Sequence, residues 1–242
     1  MRGIEETLSC WRSALVQRIP VAGLLARSDT VYKWKAPLRC WVLRELVFWR
    51  VHDLMHQSYV LHTSGHGLGA RILVRSGFET LSLLIYMNFI MRDVVDGRLD
   101  FFVFERKTCE LLIGSRDELT PYKSINILTI LSKCDDKYPG LVKIYQDLSE
   151  SAHPNWGGMG LGYSVSNSEE FETDFSNNWM KIYGEEHISL MKICMDTFIF
   201  EYDSVWIQLM DRLEAWIEVN DSDLEAARSA HNEKSVSSAS DV

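Results

Sequence analysis

Apolar residues recur at three- and four-residue intervals along most of this chain, the spacing of helices that bury one face. The pattern predicts a first helix over 4–18, stopped by Pro20, then an irregular stretch through Lys35 and a new start signalled by Pro37. Residues 38–62 carry Trp41, Leu43, Leu46, Val47, Trp49, Leu54, Met55 and Leu61 among charges, a half-buried helix. The segment 68–95 is apolar nearly all round, so it belongs in the middle of a bundle. Its polar residues Arg71, Arg75, Glu79, Ser82 and Tyr86 nevertheless share one arc of about 80° at helical geometry.

Helices are further predicted over 100–113 (stopped by Gly114), 122–137 (before Pro139), 140–152 (before Pro154) and 179–219, the last bent near its middle. Between the last two, the glycine-rich run from Gly157 to Gly162 and the acidic, small-residue stretch after it read as a long loop with a short hairpin, near 155–178. The expected fold is all-α, a bundle of six or seven helices. The expected organisation is a single helical domain over 1–220, with 1–36 as an N-terminal extension packing on it, and a polar, Ser-rich, disordered tail over 221–242.

With 34 acidic against 25 basic residues, a net charge of −9 argues against general adhesion to nucleic acid or anionic membranes, while leaving room for a local basic groove. Cys10, Cys40, Cys109, Cys134 and Cys194 are an odd number, widely separated and without a C-x-x-C pair, so free thiols and a cytoplasmic setting are expected. The first residues carry no apolar run of the signal-peptide kind, and the greasiest stretch, 81–91, is too short to span a bilayer. No membrane association is expected.

Two polar stripes could carry chemistry. Tyr145, Ser149 and His153 are four apart on one helix face, with His153 at the helix end where the dipole favours its cation. Such a histidine, opening onto a glycine-rich loop, suits a general acid or base, and equally suits a plain C-cap. Arg75 and Glu79 are spaced to pair along the other stripe; they form either a buried ion pair that holds a neighbouring helix or an Arg fork for phosphate or carboxylate. Arg71, Tyr86, Tyr145, Ser149 and Asn155 are candidate ligand contacts beside them. His52 and His56 are also four apart, but no third ligand stands at fixed spacing, so no metal is expected. The glycine run lacks a following Lys-Ser/Thr and is not a phosphate loop. No cofactor is expected.

The pairing of Arg-x-x-x-Glu (Arg75, Glu79) with Tyr-x-x-Leu-Ser-x-x-x-His-Pro (Tyr145, Leu148, Ser149, His153, Pro154) resembles an uncharacterised bacterial family of helical proteins related to the HEPN superfamily. The resemblance implies a helical bundle, often dimeric, that is either a metal-independent ribonuclease of toxin and antiphage systems or an inactive nucleotide-binding or partner-binding module. The active HEPN signature places an Arg four to six residues before its His, and Ser149, Leu148 and Asp147 stand there instead. The expectation is therefore a HEPN-like module that binds a nucleotide, another anionic ligand or a protein partner in a defence or regulatory context. The alternative is an RNA endonuclease in which His153 moves the proton at the 2′-hydroxyl and Arg75, if the two helices face each other, stabilises the phosphorane.

Overall fold

A computed structural model describes residues 3–117 and 119–239. The fold is all-α. In chain order its helices are α1 (Ile4–Ala14), α2 (Val21–Arg27), α3 (Asp29–Tyr32), α4 (Lys35–Thr63), α5 (Gly67–Val95), α6 (Phe101–Ile113), α7 (Ile127–Asp135), α8 (Leu141–Ala152), the single turn α9 (Leu161–Tyr163), α10 (Trp179–Ile199) and α11 (Trp206–Ala239). Two π-helical turns, Trp156–Gly160 and Phe200–Val205, precede α9 and α11. Between α9 and α10 the strands β1 (Ser164–Asn167) and β2 (Glu172–Phe175) form an antiparallel hairpin, with Ser164 opposite Phe175 and Asn167 opposite Glu172. Among the described residues no helix is long and apolar enough to cross a membrane.

Helix starts follow local chemistry. Asp100 accepts from the amides of Phe102 and Val103 at the head of α6, and Asn126 accepts from Leu128 at the head of α7. Gly140 cannot cap α8 with a side chain, and Asp135 does so from the preceding helix, accepting from the amides of Gly140 and Val142 at 3.0 Å each. The π turn at 200–205 interrupts the last long helical segment between α10 and α11.

The chain divides into two compact units. Hydrophobic periodicity reports which face a helix buries and is silent on which neighbours cover it, so the division is invisible in the pattern. The first unit (1–17, 43–86 and 125–203) contains both polar stripes. Its core holds Val47, Val51 and Met55 from α4, Val74, Phe78 and Leu81 from α5, Leu148 from α8 and Met191, Cys194 and Phe198 from α10. The second unit comprises 18–42, 87–124 and 204–242, with a core around Trp34, Phe101, Phe104, Trp206 and Leu213.

One expectation is corrected. The stretch before Lys35 is not irregular: Ser28 caps α3, and Tyr32 donates to Glu214 at 2.5 Å while the Trp34 indole donates to Asp221 at 2.8 Å. The last of these bonds reaches past residue 220. Helix α11 runs on to Ala239, with Asp221 bonded to Lys33 and Trp34 and Leu224 buried, and polarity alone could not reveal these partners. Residues 240–242 of the expected tail lie outside the described residues.

Candidate functional site

The two polar stripes meet. Arg75 on α5 donates from Nε to the Ser149 hydroxyl of α8 at 2.9 Å and from Nη2 to the Tyr145 hydroxyl at 2.7 Å. Nη2 also lies 3.2 Å from Glu79, and the Tyr145 hydroxyl donates to the same Glu79 oxygen at 3.0 Å. Ser149 donates onward to the Tyr145 carbonyl. Arg75, Tyr145 and Glu79 form a closed circuit, guanidinium to hydroxyl to carboxylate and back, with Ser149 as a branch from it. Such a circuit satisfies its members against one another.

One turn earlier on α5, Arg71 makes a second cross-link. It is 2% exposed, donates from Nε to Ser151 at 3.0 Å and from Nη1 to Glu186 of α10 at 2.8 Å, and lies 4.0 Å above the ring of Tyr183. Burying a guanidinium is costly unless its donors are met, and here a hydroxyl, a carboxylate and a ring meet its planar fork. Arg71 thereby clamps α8 and α10 to α5.

Behind Arg71 lies His187, also 2% exposed, 3.1 Å from the Ser58 hydroxyl and stacked on His62 at 4.9 Å. Because Ser58 donates to the Ala70 carbonyl, its oxygen is left to accept, which places the imidazole proton on Nε2 of His187. Nδ1 is buried without a partner. Burial, then the positive character of His62 and Arg71, push this histidine down to about 3, so it stays neutral.

Other predicted site residues lie apart from the circuit. His153 caps α8 through its backbone, its amide donating to Ser149, while its side chain is exposed. Tyr86 is buried, and the Ser82 hydroxyl turns back onto the Phe78 carbonyl. Asn155 is structural: its side-chain oxygen accepts from the Gly158 amide at 2.9 Å and its amide group donates to Glu150. That capping starts the π turn, and only glycine fits at 158, where a Cβ would lie 1.9 Å from the His153 carbonyl oxygen. Gly162 is held likewise against the indole of Trp179, 2.5 Å from a built Cβ. The glycine run is thus a packed turn.

This turn carries Trp156, 69% exposed, as a ridge between two hollows. The first, of about 490 Å³, is lined by Asp147, Glu150, Glu186, Arg71, Tyr183 and Asn155 together with Trp156 and Leu161. The second, about 320 Å³, runs past Trp156 and Leu161 to Val165, Ile182 and Lys181. Three carboxylates face the first hollow against one guanidinium already bound to Glu186. Coulomb repulsion therefore weighs against an anion in this hollow, which Arg75, Tyr145 and His153 do not line.

Sequence reading missed Ser151, Tyr183, Glu186, His187 and Trp156. The signal for two of them was present: Tyr183 and Glu186 are three apart on α10, a spacing that presents ring and carboxylate to one partner. Among the described residues no group of three or more His, Cys, Asp or Glu is arranged to hold a metal ion. Comparisons with protein-family models, with curated proteins and with solved structures return no match.

Proposed function

We propose that this chain is a non-catalytic helical binding module, HEPN-like in its motifs, whose Trp156 ridge receives a basic, partly apolar segment of a protein partner. The observation that carries this reading is a largely exposed indole standing between a hollow walled by Asp147, Glu150 and Glu186 and a hollow walled by Leu161, Val165 and Ile182. An aromatic anchor beside carboxylates suits Lys or Arg on the partner, through ion pairs and cation–π contact, while the apolar hollow suits an adjacent aliphatic side chain. The circuit around Arg75 and the clamp around Arg71 hold the ridge rigid from beneath.

Catalysis has less support. Nε and Nη2 of Arg75 are committed to Ser149, Tyr145 and Glu79, and His153 stands exposed at the helix end. Burial pushes the thiols of Cys40, Cys134 and Cys194 up to about 12, which leaves them unreactive. All five cysteines are free thiols, which fits a cytoplasmic setting.

A random-peptide display selection on the whole chain tests the proposal. Enriched peptides are expected to combine Lys or Arg with Leu, Ile or an aromatic residue, and to lose binding to Trp156→Ala and to Glu150→Gln/Glu186→Gln. Enrichment of acidic peptides, or binding indifferent to Trp156, overturns it.

A further inference from the structure

The second unit contains a groove of opposite character. It is lined by Lys33, Lys35, Arg39, Arg106 and Arg228, with Glu105 as the one acidic wall, and its volume is about 390 Å³. In a chain with 34 acidic and 25 basic residues, gathering five cations around one small groove works against their mutual repulsion. Two are locally balanced. Lys33 lies 2.6 Å from Asp221 and 2.7 Å from Glu225, and Arg39 reaches the Glu105 carboxylate at 3.6 Å and its carbonyl at 3.4 Å.

The positive surplus comes from the other three. Arg106 is 3.9 Å from Glu110, a long and exposed pairing. Arg228 lies 4.6 Å over the buried ring of Trp34 and lines the groove, close enough to Asp221 to help hold that carboxyl below its usual value. Lys35 is the first residue of the 29-residue α4, so the positive end of that helix adds to its own ammonium. Phe102, Cys109 and Tyr122 also line it and offer apolar contact beside the charges.

We propose that this groove binds a phosphate-bearing small molecule, the phosphates lying among Lys35, Arg106 and Arg228. The volume suits a ligand of nucleotide size or smaller and is too small for an extended polymer. Guanidinium forks at two of the three positions match the paired oxygens of a phosphate group. The site is independent of the Trp156 ridge, since it shares no residue with it.

Isothermal titration calorimetry on the full chain at low ionic strength, with pyrophosphate, ATP and sulfate as probes, decides the matter. Pyrophosphate is expected to bind more tightly than sulfate, and K35E/R106E is expected to weaken it by at least about tenfold. The control pair K143E/K192E, which changes net charge equally at exposed lysines elsewhere, is expected to weaken it by less than about twofold. Should K35E/R106E fail to give the wild-type circular dichroism spectrum, K35Q/R106Q serves in its place. ATP binding more tightly than pyrophosphate identifies a nucleotide site, and equal binding identifies a site for the phosphate group alone. No heat from pyrophosphate or ATP with wild type, or equal losses in the two variant pairs, overturns the proposal.

Discussion

Arg75 and Tyr145 are joined at 2.7 Å, and through the tyrosine hydroxyl the guanidinium shares the same Glu79 oxygen that it faces directly. The relationship turns two helix stripes into one unit. It also fixes the orientation of Arg75, because Nε and Nη2 are held by two hydroxyls and a carboxylate, so that only the Nη1 edge is left to face a ligand.

Tyr145→Phe removes only that hydroxyl. The expected loss is about 1–2 kcal/mol, since Arg75 and Glu79 are partly exposed and water takes up some of the bonds. Urea unfolding of Tyr145→Phe, Arg75→Ala and the double variant gives the coupling, expected at about 0.5–1.5 kcal/mol. Additive losses would show that the circuit is a crossing of independent contacts.

Arg71→Lys is expected to behave like a deletion and not like a conservative change. An ammonium cannot keep Ser151, Glu186 and the stacked ring of Tyr183 together, and the buried stem would carry a more strongly hydrated charge. A loss of about 2–4 kcal/mol for both Arg71→Lys and Arg71→Met is anticipated by chemical denaturation. Near-wild-type stability of the lysine variant would mean that charge alone suffices.

Acid should destabilise the fold through His187. In the folded chain this histidine remains neutral down to about pH 3, while unfolded it takes up a proton below about 6.5, so the unfolded state binds more protons between those values. Stability from this group is full above pH 6.5 and declines as pH falls towards 3, by about 2 kcal/mol at pH 5. Thermal melts of wild type and His187→Met across pH 4–8 measure it. The variant should show the shallower pH dependence, and parallel curves would remove His187 from the account.

His153→Ala should cost less than about 0.5 kcal/mol, since the side chain is exposed and the cap is made by its backbone. No RNA cleavage is expected from wild type, Arg75→Ala or His153→Ala with single-stranded and hairpin substrates. Cleavage by wild type that disappears in both variants would establish the ribonuclease reading and displace the binding-module reading.

The heptad-like spacing of apolar residues determined the elements. The segment 68–95 had to be helical because a chain apolar on nearly every face buries its backbone polar groups only by bonding them internally, and α5 spans Gly67–Val95. Pro154 and the glycines after it determined the end of α8 at Ala152. Within a stripe, i to i+4 spacing was enough to pair Arg75 with Glu79.

Tertiary structure alone decided which stripes face each other and what surrounds them. That Arg75 meets Tyr145 across 70 residues, that Arg71 is held by Ser151 and Glu186, and that Asp221 reaches Trp34 all depend on how helices dock, and no local spacing encodes docking. The same holds for the charge of a hollow. In the hollow beside Arg71, α8 and α10 bring Asp147, Glu150 and Glu186 together, while the cations around Lys35 and Arg228, 193 positions apart, gather only through the packing of α4, α6 and α11. Electrostatic potential is a sum over neighbours in space, and sequence lists neighbours only along the chain.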